Sequence, residues 1–204
     1  MATDKDEKRA ALKARLIDAA EQEIAAHGLA GLKVRTVTAK AGCALGALYN
    51  VVEDLDLLIF HVNSRTLKQL GQALQAALTK SGQDPRNSLQ ALAATYASFA
   101  MEKRNLWLAL FEHRPSAGRT VPDWHRMDHA VLLQEIAPYL AQLRPDLDPA
   151  ALELRARTTF AAVHGIVLLA LEGRFVGVPL DALRSEIAGL VETLSLGAQA
   201  QAQR

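Results

Sequence analysis

A short stretch of the sequence carries the residue types that contact nucleic acid. Lys33, Arg35 and Lys40 are the only fully charged residues in positions 25–51, so the segment carries a local charge of +3 in a chain whose formal charge is +1. Such a patch is what phosphate contact requires. Asn50 adds an amide that can pair with adenine at two points, worth about 1–3 kcal/mol of discrimination. The alternative interpretation is a solvated helical hairpin.

The elements that would position these side chains are two short helices. The periodicity predicts one helix over 34–41 and another over 45–51, with Gly42 between them in a left-handed conformation. This is the layout of a helix-turn-helix, which places its second helix in a DNA major groove. Val37, Ala41, Cys43 and Leu48 are expected to pack between the two helices.

The sequence as a whole predicts an all-α chain with nine helices in total, the two short helices included. Caps are expected at Asp54, Asp84 and Asp148. Pro138 is expected to kink a helix over 123–143 near Gln134, because proline cannot donate a hydrogen bond to that carbonyl. Residues 197–204 are expected to form a frayed tail.

Composition excludes several classes of protein. The single cysteine leaves no disulfide framework, the charged N-terminus is no signal peptide, and the apolar run 160–171 is shorter than a bilayer span, so a soluble cytoplasmic protein is expected. No nucleophile or phosphate-loop motif is present, so no enzyme and no cofactor are predicted. His125 and His129 have a metal-binding spacing, but no third ligand is evident, so no metal site is predicted.

Residues 15–60 resemble the DNA-binding domain of the TetR family of transcriptional regulators. The matching features are Asp18-Ala19-Ala20, Gly28, Val34-Arg35, Ala41-Gly42, Gly46, Leu48-Tyr49, Asp54 and Leu57-Leu58. The resemblance implies a TetR-like fold with a helix-turn-helix DNA-binding domain at 1–53 and an effector-binding and dimerisation domain at 54–204. It also implies a cytoplasmic homodimer that binds a palindromic double-stranded DNA operator.

The resemblance assigns DNA contacts residue by residue. Tyr49 matches the tyrosine that touches backbone phosphate, and Arg35 matches the basic side chain of the second helix. The full set of expected DNA-binding residues is Lys33, Arg35, Leu45, Gly46, Ala47, Tyr49 and Asn50.

The sequence also departs from the family pattern. Lys33 and Ala44 stand where the family usually has capping Ser or Thr, each at a cost of about 0.5–2 kcal/mol. Leu55 replaces a frequent phosphate-binding Lys, beside three acids at 53, 54 and 56 that would face phosphate unfavourably. Operator binding is therefore expected to be weaker and more dependent on DNA shape.

The C-terminal part contains a helix that is apolar on every side. Residues 158–171 carry no charged side chain, so one face is expected to pack against a second subunit in a four-helix interface. Enclosure by its own subunit is the alternative. Val163-His164-Gly165 resembles the Trp-His-Gly type of TetR C-terminal domain, with valine in place of tryptophan. The predicted interface residues are Phe160, Val167, Leu171, Leu183, Ile187, Leu190 and Leu194.

Aromatic residues concentrate in the middle helices, which surround an effector cavity in this family. The predicted lining residues are Tyr96, Phe99, Trp107, Phe111 and His164, with simple core packing as the alternative for each. The resemblance implies a ligand-responsive regulator, a repressor released from its operator by a small-molecule effector. The alternative is a small-molecule-binding helical dimer with weak or lost DNA specificity.

Overall fold

A computed structural model describes residues 4–203, and within that range the regular structure is entirely helical. Ten α-helices and a short 3₁₀ turn at Leu29–Gly31 account for it. The α-helices are α1 (Asp4–His27), α2 (Val34–Lys40), α3 (Leu45–Val52), α4 (Leu55–Leu78), α5 (Pro85–Glu102), α6 (Arg104–Glu112), α7 (Asp123–Gln134), α8 (Ala137–Leu143), α9 (Pro149–Leu171) and α10 (Leu183–Ala202).

The count exceeds the expected nine because the helix expected over 123–143 is two helices. α7 ends at Gln134 and α8 begins at Ala137. Pro138 therefore lies in the first turn of α8 and not in the interior of one long helix. Proline is tolerated there because a first-turn amide has no intrahelical partner. The last helix also continues to Ala202, beyond the expected end at 194.

The chain forms two compact units that do not coincide with the boundary expected between residues 53 and 54. Unit 1 comprises the residues up to Lys68 together with Lys103–Asp128, and unit 2 comprises Gln69–Glu102 together with the residues from His129. α4 therefore contributes residues to both units. A functional boundary at 53/54 stays a prediction.

The core of unit 1 holds the helix-turn-helix in place. Leu48 of α3 and Val37 of α2 are fully buried with Leu16 and Ile24 of α1, and α4 contributes Leu58 to the same cluster. Burial of each such side chain stabilises the fold by about 1.5–3 kcal/mol. Leu106 and Ala109 of α6 complete the cluster, so α1–α3 share their core with parts of the chain outside residues 1–53.

Helix starts follow the capping chemistry of the sequence. Asp54 caps α4, since its Oδ1 accepts a hydrogen bond from the Leu57 amide at 2.7 Å, and Asp148 caps α9 through the Ala151 amide at 2.8 Å. Lys33 and Ala44 make no capping hydrogen bond at the starts of α2 and α3. α2 and α3 therefore depend on packing rather than on their own termini.

Unit 2 buries only one side of its central helix α9. Val163 and Val167 point into the core with Leu183 and Ile187 of α10, while much of the rest of α9 stays uncovered. By length and composition alone this 23-residue helix could cross a membrane, and 28% of its most apolar window is buried. One such helix is weak evidence for a membrane span, because the core helix of a soluble protein passes the same test.

Candidate nucleic-acid interface and ligand cavity

The helix-turn-helix presents the outer face of α3 to solvent. Gly42 adopts φ 66° between α2 and α3, a conformation that glycine reaches without steric cost. Leu48 and Val52 then point into the core, while Leu45 is 43% exposed and Tyr49 47% exposed. α3 is thus amphipathic and shows an outward surface of mixed polarity.

The seven predicted DNA-binding residues occupy this outer surface and the adjoining start of α2. Six of them are exposed, and Ala47 is half-buried. Gly46 is not required by the fold, because a Cβ built there meets no heavy atom within 4 Å. Glycine inside a helix costs roughly 0.5–1 kcal/mol relative to alanine, so the bare backbone at position 46 suits close approach by another molecule.

One of the three cations of this segment has a structural partner. Lys40 Nζ lies 2.7 Å from the carboxylate of Glu23, a buried residue of α1. The hydrogen bond from Lys40 holds the pKa of Glu23 below its usual value, against the opposing effect of burial. Arg15 Nε also donates to the carbonyl of Ala41 at 3.0 Å, so α1 ties down the end of α2. All three cations are exposed, but Lys33 and Arg35 form no ion pair within residues 4–203.

The acidic start of α4 is compensated by residues far away in sequence. Arg119 lies 3.1 Å from Asp54 and 3.7 Å from Glu53, the latter a non-glycine residue held at φ 67°. Asp56 accepts a hydrogen bond from the Ser116 amide at 3.0 Å and lies 3.3 Å from His113 Nε2. The loop 113–119 therefore supplies partners for the three acids that were expected to face phosphate, although the Glu53 side chain stays exposed.

The contacts of Asp56 and His113 set the ionisation of these two side chains. Burial raises the pKa of Asp56, but the hydrogen bonds from Ser116 and the nearby His113 and Arg119 outweigh it and leave that pKa below its usual value. Burial lowers the pKa of His113 and is only partly opposed by Asp56. A neutral imidazole beside a carboxylate results at neutral pH.

His125 packs in the core of unit 1. Its Nδ1 lies 3.0 Å from Ser64 Oγ, and its ring is 4.7 Å from that of Phe60. Within residues 4–203 no group of three or more His, Cys, Asp or Glu side chains is arranged to hold a metal ion.

Unit 2 encloses an apolar cavity with an empty volume of about 490 Å³, solvent at its mouth included. Of the five predicted lining residues, Tyr96 lies on its wall. The lining residues, which come from α4, α5, α7, α9, α10 and the α7–α8 junction, are Leu74, Leu89, Leu92, Ala93, Tyr96, Leu132, Glu135, Ile136, Thr159, Phe160, Val163 and Val191.

His164 stands behind the wall rather than on it. Its Nδ1 lies 2.8 Å from Tyr96 Oη, and its ring stacks on Phe160 at 5.5 Å. Burial lowers the pKa of His164. The imidazole therefore fixes the orientation of two rings that do line the cavity, Tyr96 and Phe160, which meet edge to face at 5.6 Å.

The other three predicted lining residues do not line this cavity. Phe99 is buried and borders a separate open groove on α5. Trp107 is fully buried in unit 1, with the ring of Phe111 at 5.2 Å. Both residues belong to α6 in unit 1, where the burial of Trp107 favours the core-packing alternative; an effector role for Phe111 stays a prediction.

Four of the predicted dimer-interface residues, namely Val167, Leu171, Leu183 and Ile187, are buried within the chain itself. Side chains enclosed by their own protomer cannot contact a second copy, so the prediction is corrected for these four. Phe160 is half-buried and lines the cavity.

The outer face of the same two helices carries apolar residues that the sequence did not single out. Leu169 of α9 and Leu196 of α10 are 37% and 49% exposed, and Leu154 at the start of α9 is exposed as well. Leu190 and Leu194 are partly exposed on α10 and stay predicted interface residues. A helical period alone could not tell the inner from the outer side of a helix that is apolar all round.

Comparison with known proteins gives consistent matches. Residues 89–194, just over half of the chain, match the family model described as the tetracyclin repressor-like C-terminal domain. The HTH-type transcriptional regulator BetI of Paraburkholderia xenovorans (strain LB400) is 28% identical over 174 residues, covering 83% of this chain and 85% of that protein. The Trp-His-Gly subtype is not confirmed by these matches and stays a prediction.

Solved structures share the fold. A protein with unknown function from Rhodococcus sp. RHA1 has a TM-score of 0.72 and 26% identity, covering 91% of this chain and 94% of that one. FadR from Bacillus subtilis, solved in complex with stearoyl-CoA, has a TM-score of 0.68 at 15% identity, covering 87% and 96% of the two chains. The predicted all-α, TetR-like fold is confirmed.

Proposed function

The chain belongs to the tetracyclin repressor-like (TetR) family of transcriptional regulators, and from that premise we propose that it is a cytoplasmic, ligand-responsive repressor. It binds a palindromic operator as a homodimer and leaves it when a small molecule occupies the unit 2 cavity. The observation that carries this proposal is the outward presentation of α3, with Leu45 and Tyr49 exposed above a buried Leu48.

The outer face of α3 suits the major groove in a particular way. α3 has no charged residue, so base reading depends on Asn50, which can pair with adenine, and on Leu45, which can contact a thymine methyl group. Phosphate contacts come from Lys33 just before α2, from Arg35 on α2 and from the Tyr49 hydroxyl. A reading surface with few charges makes the affinity modest and the sequence discrimination dependent on shape.

A homodimer is supported by the uncovered side of α9 and α10. Leu169 and Leu196 lie on this side, and Cβ atoms built at Gly165 and Gly189 meet no heavy atom within 4 Å. An exposed apolar face with small residues allows two helices from each copy to approach closely around a twofold axis. Two copies of α3 about one DNA turn apart would then read the two halves of a palindrome.

Effector control is proposed to act through α4. Its first half belongs to the core of the helix-turn-helix unit, through Leu58 and Val62, and its second half supplies Leu74 to the cavity wall. An effector that prefers one position of this helix would shift the population between operator-binding and released states. The related fold of Bacillus subtilis FadR was solved with stearoyl-CoA bound, which is consistent with a ligand-binding role for such a cavity.

A mobility-shift titration with the DNA that flanks its own gene tests the proposal. We expect a specific complex whose affinity falls steeply with salt concentration, and sedimentation of the free protein should give the mass of a dimer. A strictly monomeric protein would contradict the proposal. Equal weak binding to every sequence would instead favour a small-molecule-binding dimer without DNA specificity, an alternative suggested by the absence of charge on α3.

Arg119 is expected to support operator binding without touching DNA. Replacing Arg119 with alanine would remove the positive charge that pairs with Glu53 and Asp54 beside the end of α3, and the repulsion of phosphate by these acids should lower operator affinity about three- to tenfold. Adding Asp54→Asn, which keeps the cap of α4, should restore part of the loss. The measurement is a mobility shift at constant salt.

The matched control for Arg119 is Arg126→Ala. Arg126 is exposed in the same unit and pairs with Asp123 in its own helix, so its loss removes the same charge without uncovering the start of α4. Equal losses for the two variants would show that only net charge matters and would contradict the proposed role of Arg119.

A further inference from the structure

The first turns of α1 extend beyond the core of unit 1. Residues 4–11 are exposed on every side of the helix, and the first buried side chain of α1 is Leu16. An isolated helix of this length is marginal in water, so the segment depends on its continuity with the packed part of α1. At about 1.5 Å per residue, it adds about 12 Å of helix that no other described part of the chain covers.

Lys5, Arg9 and Lys13 form a row of cations along this extension, which we call the α1 stripe. They are spaced four residues apart, so their side chains lie on one face of the helix. Leu16 and Ala20 continue the same face into the core, where they pack with residues of α2, α3 and α4. The face of α1 that packs on the helix-turn-helix therefore becomes positively charged where it leaves the core.

The charge of the α1 stripe is available to a partner. Its three cations form no ion pair within residues 4–203. Of the nearby acids, Asp4 pairs with Lys8 at 2.6 Å, and Glu7 lies on the opposite face of the helix. Asp6 borders the stripe, three residues before Arg9, so three cations and one acid give this face a net charge of +2.

Contacts between α1 and α4 show toward which end of unit 1 the stripe points. Arg65 of α4 lies 2.5 Å from Asp18 and 2.7 Å from Glu21 of α1. Burial lowers the pKa of His61, and the nearby positive charge of Lys13 lowers it further. Earlier residues of α1 thus lie beside earlier residues of α4. The two helices run in the same direction, and the stripe points toward the start of α4.

The start of α4 follows α3 directly, so the stripe approaches the end of unit 1 that carries the outer face of α3. α4 begins about 9 Å before His61, whereas α1 begins about 14 Å before Lys13. The extension therefore reaches past the start of α4. Arg15, just after the stripe, donates to the carbonyl of Ala41 in the turn that precedes α3. A duplex held against α3 brings its phosphates to this end of the unit.

We propose that the α1 stripe is a second phosphate-binding surface, which contacts the DNA backbone beside the major groove that α3 enters. Lys5 and Arg9 bind phosphate oxygens, and Lys13 adds its charge from a half-buried position. The inference rests on the proposed function, in which α3 docks on a duplex. Phosphate contacts carry no sequence information, so the stripe strengthens binding to every duplex and compensates for the absence of charge on α3.

Titrations of the full chain with two duplexes, across a range of salt concentrations, test the proposal. One duplex is the DNA that flanks its own gene, and the other is a scrambled sequence of the same length and composition. Lys5→Gln/Arg9→Gln should bind both at least tenfold more weakly at low salt, with an unchanged ratio between them. The slope of log affinity against log salt concentration should fall by about 3–4, because a dimer loses four cations.

Two further variants assign the effect to the charges of the stripe. Lys5→Arg/Arg9→Lys keeps both charges and should bind as the wild type does. Lys68→Gln/Lys80→Gln removes two exposed cations elsewhere, on α4 and just after it, and should change either affinity less than twofold. Unchanged affinity and slope in Lys5→Gln/Arg9→Gln would overturn the proposal, and so would equal losses in the Lys68/Lys80 variant. Circular dichroism checks that each variant is folded.

The scrambled duplex separates this inference from the proposed function. If the wild type binds both duplexes equally and Lys5→Gln/Arg9→Gln weakens both, the stripe stands and specific operator recognition fails. If the wild type prefers its own flanking DNA and the variant binds it equally well, the stripe alone fails. A wild type that binds neither duplex at low salt contradicts both.

Discussion

Replacing Tyr49 and Arg35 together with alanine is expected to abolish specific operator binding, with a loss of at least a hundredfold in affinity. Both side chains are exposed on the helix-turn-helix, and the Arg35 guanidinium forms no ion pair within residues 4–203. Hydrogen bonds to charged groups contribute about 1.5–3 kcal/mol each, and a dimer loses each contact twice. The protein itself should stay folded, because neither side chain belongs to the buried core.

The salt dependence of binding distinguishes lost phosphate contacts from general damage. Each phosphate contact made by a cation contributes roughly 0.9 to the slope of log affinity against log salt concentration. A dimer that loses Arg35 from both protomers should show a slope smaller by about 2. The experiment is a set of mobility-shift titrations across salt concentrations with the wild type and the double variant.

Arg157→Ala is the control for the double variant. Arg157 is exposed in α9 and pairs with Glu153, so its loss changes the net charge by the same amount away from the helix-turn-helix. Its affinity and slope should equal those of the wild type. Retention of the full slope in the double variant would place the phosphate contacts elsewhere and contradict the proposed binding surface.

Replacing Trp107 with alanine is expected to lower the free energy of unfolding by about 3–5 kcal/mol, the range for deletion of a buried aromatic side chain. Trp107 is fully buried in unit 1 and packs against Phe111. Because its helix shares a core with α1 and α4, the loss should also weaken DNA binding indirectly. Ligand affinity of the unit 2 cavity should change little.

Chemical denaturation followed by circular dichroism measures the effect of the Trp107 substitution. Trp124→Ala is the matched control, since Trp124 is a half-exposed residue of the same unit that stacks on His61 at 4.8 Å. It should lose less than half as much stability, because part of its ring already contacts water. If the Trp107 variant has unchanged stability but lower ligand affinity, Trp107 lines the ligand cavity and does not act as a core residue.

The helices were predictable because their signals are local. Asp54 and Asp148 act as caps, Gly42 takes the left-handed conformation, and α2 and α3 begin at the expected residues. Pro138 was recognised as a disturbance, but whether it kinks a helix or starts a new one depends on the packing of both segments. The helix-turn-helix needs only such local signals and a few buried residues, so its exposed face could be predicted from sequence, while the DNA contacts on that face stay a prediction.

The cavity was not predictable to the same degree because it depends on how distant segments pack. Trp107 and Tyr96 look alike in sequence, as aromatic residues on apolar faces, yet one fills the core of unit 1 and the other lines the cavity of unit 2. Glu135 had a detectable signal, a lone carboxylate within an apolar stretch. The contact of Arg119 with Asp54 joins positions 65 residues apart, and no local pattern predicts it.

If the proposed homodimer forms through the half-covered side of α9, occupancy of the proposed operator depends on the amount of protein in the cell. An isolated protomer exposes Leu169 and Leu196 to water, and the homodimer that we propose would bury them. Because association follows mass action, the fraction of dimer rises with the concentration of the protein. A regulator of this kind would leave its operator unoccupied at low protein concentration and would bind it cooperatively once dimers form.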